Sequence, residues 1–103
     1  MKKTIIINSI ILDTNKKICD EILKSFDYPP YQFGNYNYAI VDCLRDTFEK
    51  WQREKFIIIE IRWEHFYHVL QNKDKNQILV ILDIFQEYKL EFLDLDIKIT
   101  LEL

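Results

Sequence analysis

Phe56-Ile57-Ile58-Ile59-Glu60-Ile61 is continuously apolar apart from Glu60, and reads as a central strand buried on both faces. Ahead of it lies a helix running to about Trp51. Its candidate caps are Asn35 and Asn37, and its core face is Ile40, Cys43, Leu44, Thr47 and Trp51. An earlier helix starts near Lys16, capped by Asp13 or Thr14, with Ile18, Ile22 and Leu23 at helical spacing. It ends near Phe26, because Pro29 and Pro30 cannot continue it. Residues 3–12 are β-branched and apolar, a first strand. Beyond the central run, residues 63–70 read as a short helical stretch and 71–76 as a polar loop. Residues 76–89 form another helix with Ile78, Ile81, Leu82, Phe85 and Tyr88 inward. Leu95, Ile97, Ile99, Leu101 and Leu103 then alternate with polar residues, as in a half-solvated edge strand. Strands joined by long helical crossovers run parallel, since hairpins need short turns. The expected order is β-α-α-β-α-α-β, an α/β fold with a three-stranded parallel sheet packed with about four helices.

At 103 residues the chain is expected to be one domain, spanning 1–103, with a single hydrophobic core. Its 49% hydrophobic and 30% charged content is that of a soluble globular protein. No apolar stretch approaches the roughly 20 residues of a membrane span, so no membrane partner is expected. The basic start Met1-Lys2-Lys3 resembles a signal peptide's, but the apolar run breaks at Asn8 and Asp13 with no small-residue cleavage site. A cytoplasmic location follows as the expectation. Cys19 and Cys43 lack CxxC spacing and are read as reduced core cysteines. A net charge of −3 argues against direct nucleic-acid binding and suits a basic protein partner.

With one glycine, a glycine-rich phosphate loop is ruled out, and neither GxSxG nor HExxH occurs. His65 and His68 are three apart beside Glu64, yet spacing fixes no third metal ligand, so no metal and no cofactor are expected. Tyr38, Asp42 and Arg45 fall at i, i+4, i+7, a stripe directed away from the Ile40–Cys43–Leu44 side. Asp83 and Glu87 form a similar pair on the later helix. Catalysis by Asp42 and Glu87 as an acid–base dyad would require a pocket joining them. The chain's only glycine, Gly34, sits in Pro29-Pro-Tyr-Gln-Phe-Gly-Asn-Tyr-Asn-Tyr38, which also holds both prolines. Rings that lose little rotamer entropy on contact favour a binding surface in this stretch.

The segment from Pro30 to Leu44 resembles the signature of the barstar family, intracellular inhibitors of the ribonuclease barnase. The shared pattern is Pro30, three residues, Gly34, four residues, Ala39, two residues, then Asp42-Cys43-Leu44. Trp63 and Phe66, Phe85-Gln86-Glu87 and the terminal alternating strand agree with it, as does the element order. The resemblance implies an inhibitor that plugs a ribonuclease active site and is not itself an enzyme. The implied partner-binding residues are Tyr31, Gln32, Phe33, Gly34, Asn35, Tyr36, Asn37 and Tyr38 of the loop and helix start. Val41, Asp42, Arg45 and Asp46 follow on the same helix, with Asp83 and Glu87 on the later one. Asp42 takes the place of a substrate phosphate, and Glu87 makes a second ion pair.

The chain departs from that family at Tyr38, where barstar has aspartate, and at Asn35, where it has glutamate. Val41 replaces a tryptophan and Gln32 a tyrosine. The patch has lost charge and gained aromatic surface, while Asp83 restores some negative potential. The expected partner is therefore a basic ribonuclease other than barnase, such as a nuclease toxin domain for which this chain, monomeric when free, is the immunity protein. A barstar-like module retargeted to a partner that is not a ribonuclease is the alternative.

Overall fold

The apolar run at 56–61 enters the sheet later than its hydrophobicity suggests. The computed structural model describes residues 1–9, 15–27, 36–72 and 75–103, and in it the middle strand covers Ile58–Glu64. The element order is β1 (Lys2–Asn8), α1 (Asn15–Ser25), α2 (Tyr36–Arg53), β2 (Ile58–Glu64), α3 (Tyr67–Leu70), α4 (Lys75–Glu91) and β3 (Asp96–Leu101). The strands lie in the order β1-β2-β3 and both pairings are parallel. This is the three-stranded α/β fold with four helices that the sequence pattern implies.

Register separates the two faces of the sheet. Ile5 pairs with Ile61 and Ile61 with Ile99; Ile7 pairs with Trp63 and Ile59 with Ile97. Of these, all but the half-buried Ile99 are buried, and they meet the apolar sides of α1, α2 and α4 in one core. The opposite face carries Lys2, Thr4 and Ile6 on β1, Glu60 and Arg62 on β2, and Lys98 and Thr100 on β3. β2 is therefore central but not buried on both faces: its residues alternate between buried and half-buried. The reason is electrostatic. Lys2 reaches Glu60 at 2.9 Å, Arg62 reaches Glu102 at 2.7 Å and Glu64 at 3.8 Å, and Lys98 reaches Asp96 at 3.7 Å. Ion pairs between strands and along them let charged side chains occupy a sheet face that the helices leave open.

Residues 63 and 64 thus belong to β2, and only Tyr67–Leu70 of the expected 63–70 stretch is helical. Trp63 is fully buried and its indole N–H donates to the buried Ser9 hydroxyl at 2.8 Å, which satisfies the one polar atom of the ring. The first strand ends at Asn8, and residues 10–12 lie outside the described residues. The last strand stops at Leu101, so Leu103 is exposed. α4 extends to Glu91, past the expected end.

Helix ends show where local rules compete. α1 closes through Asp27, whose φ of 64° is left-handed, so the helix stops before the proline pair is reached. Asn37 lies inside α2, past its first residue, while Asn35, Asp13 and Thr14 fall outside the described residues. On α2 the buried side is Ile40, Leu44, Thr47, Phe48 and Trp51, with Cys43 only half-buried against it. Phe48 anchors a ring cluster. It lies 5.3 Å from Trp51, 5.0 Å from Tyr88 and 5.8 Å from Phe92 between centroids. Phe26 stacks at 5.6 Å on Trp51 and 5.9 Å on Phe85, so α1, α2 and α4 are locked through aromatic contacts.

Candidate partner-binding face

Phe48 and Tyr88, edge to face, set α2 beside α4. That contact decides where the chain's carboxylates stand. The Tyr88 ring is buried, but its hydroxyl reaches the seam between the helices and donates to the Val41 carbonyl at 3.3 Å. Val41 is half-buried, and Asp42, the next residue, is exposed. On α4, Glu87 is the residue before Tyr88 and is also exposed. Burial pushes the Tyr88 phenol up to about 12; Arg45 opposes the rise, and the nearby charges of Glu91, Glu87 and Asp42 add to it. Asp42 and Glu87 therefore act on one phenol from two helices, across one seam.

Arg45 does not stand free in the stripe with Asp42. Its guanidinium donates to the Glu91 carboxylate and lies over the Tyr88 ring, 5.7 Å from the centroid. The Glu91 hydrogen bond holds the Arg45 guanidinium above its ordinary value, against a smaller opposing effect of burial.

Asp46 belongs to another surface. It lines an open cleft of about 440 Å³ beside Phe26, Asp27 and Trp51, toward α1. Asp83 is exposed on α4, one turn before Glu87 and farther from the Tyr88 contact. Among the described residues, Asp42, Asp46, Asp83 and Glu87 have no ion-pair partner within the chain. Tyr31, Gln32, Phe33, Gly34 and Asn35 lie outside the described residues; Tyr36, Asn37 and Tyr38 open α2, their backbone helical.

Both cysteines are thiols, as their spacing implies. Burial first, then the charge of Asp20, pushes Cys19 up to about 12. Burial, then Asp46 and Asp42, raises Cys43. Neither environment favours a thiolate nucleophile. His65 and His68 place their rings 6.4 Å apart, and no group of three or more metal-binding side chains occurs among the described residues. No helix among them is long and apolar enough to cross a membrane.

A family model described as barstar, the barnase inhibitor, matches residues 3–103. The chain belongs to the barstar family. Barstar is an inhibitor of a ribonuclease, so membership assigns an inhibitor-like role and a ribonuclease as the kind of partner. No curated protein and no solved structure matches the chain. Glu91 and Tyr88 are the residues of the α2–α4 seam that sequence reasoning missed. Glu91 carried a detectable signal, since it continues the Asp83–Glu87 spacing by one further turn. Tyr88 was visible only as a core residue, because nothing in a sequence tells which end of a buried tyrosine meets a seam.

Proposed function

We propose that this chain is the immunity protein of a basic ribonuclease, blocking its active site with the Gly34 loop and the α2–α4 face. Asp42 takes the place of a substrate phosphate and meets the enzyme's cationic groups, and Glu87 forms a second ion pair. The rings of the Gly34 loop exclude water from the bound enzyme's site. The observation that supports it is the pairing of exposed Asp42 and Glu87 across the Tyr88 seam, in a chain of an inhibitor family. Two such carboxylates raise the encounter rate with a cationic enzyme and form short charge-assisted hydrogen bonds once desolvated. Among the described residues, neither Asp42 nor Glu87 lines the clefts beside α1 or below Phe56.

The protein works as a single domain over residues 1–103, monomeric when free, in the cytoplasm beside its enzyme. Because Tyr38 stands where the family carries an acid, the target is a nuclease other than barnase. Expressed with the nuclease encoded beside it, the chain should co-purify in equimolar amount and abolish RNA cleavage. A chain that leaves RNA cleavage by that nuclease untouched would sink the proposal.

A further inference from the structure

Among the charged groups acting on the Tyr88 hydroxyl, Arg45 is the one cation, set against Asp42, Glu87 and Glu91. An unrestrained arginine there would reach several ångströms into the space a cationic enzyme must occupy. It would repel the same groups that Asp42 attracts, and at separations under about 8–10 Å salt screens this little. Yet Arg45 is tied on two sides within the chain. Its guanidinium donates to Glu91, and its central carbon lies over the Tyr88 ring, 5.7 Å from the centroid. Tyr88 is fixed in turn by its hydrogen bond to the Val41 carbonyl and its edge contact with Phe48. Five side chains thus converge on one seam, and the only positive one is neutralised before any partner arrives.

We infer that Glu91 and Tyr88 are specificity-determining positions of the binding face, clamping Arg45 against α4 so that the face shows a basic partner its carboxylates alone. The inference rests on the inhibitor reading for its partner and on the α2–α4 seam for its geometry. The clamp also predicts a discrimination. A partner presenting an acidic group opposite Arg45 gains nothing from it, because the guanidinium is already occupied; such a partner meets only repulsion from Asp42 and Glu87.

The test has one arm without a partner and one with it. In the first, urea unfolding of Arg45→Gln, Glu91→Gln and the double variant gives the coupling between the two residues. Exposed pairs of this kind are expected to show about two- to fivefold non-additivity in the unfolding constant. Additive effects would mean that Arg45 is not held, and would overturn the inference whatever the partner does. In the second, barnase serves as a basic ribonuclease probe, with association followed by stopped flow at low ionic strength. Glu91→Gln should slow association several-fold, Arg45→Gln alone should speed it, and adding Arg45→Gln to Glu91→Gln should restore it.

Glu54→Gln is the control. It frees Lys50, its partner at 3.8 Å, at the far end of α2, and should change the rate little. If Glu91→Gln and Glu54→Gln slow association equally, net charge explains the result and the clamp has no part in specificity. Failure of the unaltered chain to associate with either barnase or the nuclease encoded beside it counts against the inhibitor reading and is separable, because the unfolding arm decides the clamp alone.

Discussion

The open face of the sheet and the seam between α2 and α4 use the same residue types to opposite ends. On the sheet, Lys2, Arg62 and Lys98 are interleaved with Glu60, Glu64, Asp96 and Glu102, and each cation has a carboxylate within 4 Å. Charge there is paired within the chain, which lets a sheet face that no helix covers meet water. At the seam one cation is cancelled by Glu91 while Asp42 and Glu87 keep their charge outward. A surface whose charges are paired within the chain contributes to folding; one whose charges are left over is available to another molecule.

The sharpest way to break this contrast is to remove Asp42. Truncating one partner of a desolvated charge pair costs about 2–5 kcal/mol, whereas rim charges alter mainly the association rate. Asp42→Ala should therefore weaken inhibition of the cognate nuclease by that amount and leave folding stability unchanged. Asp46→Ala, beside the α1 cleft, and Asp83→Ala should lose several-fold less. Titration of nuclease activity against each variant checks this, and equal losses at all three positions would refute a central role for Asp42.

Next in size is Tyr38→Asp, which adds back an acid that barstar carries. A hydroxyl can donate where a carboxylate cannot. The cognate surface opposite Tyr38 should accordingly offer an acceptor or an apolar cleft, not a cation. The unaltered chain should inhibit barnase weakly, and the substitution should move preference toward barnase by about 2 kcal/mol with a steeper salt dependence. Competition between the two enzymes at two salt concentrations measures it. Tight inhibition of barnase by the unaltered chain would contradict this account.

The two surfaces should also fail at opposite ends of the pH scale. The hydrogen bond from Lys2 holds the Glu60 carboxyl below its ordinary 4.5, with smaller help from the charges of Lys2, Arg62 and Lys98 against slight desolvation. Its contribution is complete above 4.5 and fades as pH falls through the lower folded value. Cys19 and Tyr88 behave in reverse. The folded chain keeps protons up to about 12 that the unfolded chain releases near 9.0 and 10.0. Stability should fall as pH rises across 9 to 12, by at most about 1.4 kcal/mol per pH unit for each group. Urea midpoints across this range test it, with Cys19→Ala expected to flatten the lower part. A profile flat to the upper end would show that neither group is held protonated.

The smallest effect is expected on the sheet. Arg62→Ala breaks the pairs to Glu102 and Glu64, and should lower stability only slightly with no change in inhibition. Urea unfolding and nuclease titration on the same sample decide whether the two surfaces are independent.

These surfaces were not equally legible in the sequence. Strand order and parallel pairing followed from the spacing of apolar runs, because crossovers that long admit little else. The limits of β2 did not. Arg62 and Glu64 look wrong for a central strand until the cross-strand partners are known, and Glu102 lies forty residues from Arg62. Asp42 and Glu87 were found through the Gly34-to-Leu44 pattern and the helix periodicity. The spacing places Arg45 in the Asp42 stripe but does not give its pairing with Glu91, which lies on a different helix and is brought to it only by packing. Phe48, four residues from Leu44 on the buried side, carried a periodic signal that the expected core face passed over.

The register of the sheet has a kinetic consequence. No two strands are joined by a hairpin: Lys2 pairs with Ile58, and Ile58 with Asp96. Every ladder hydrogen bond waits on closure of a loop tens of residues long, whose entropy is lost before contact energy is gained. Folding should be limited by that search and should respond to Ile59 and Ile61, which lie in the strand that both others need, more than to any surface group. For a chain that restrains a nuclease as proposed, the search time sets how far ahead of the enzyme it has to be made.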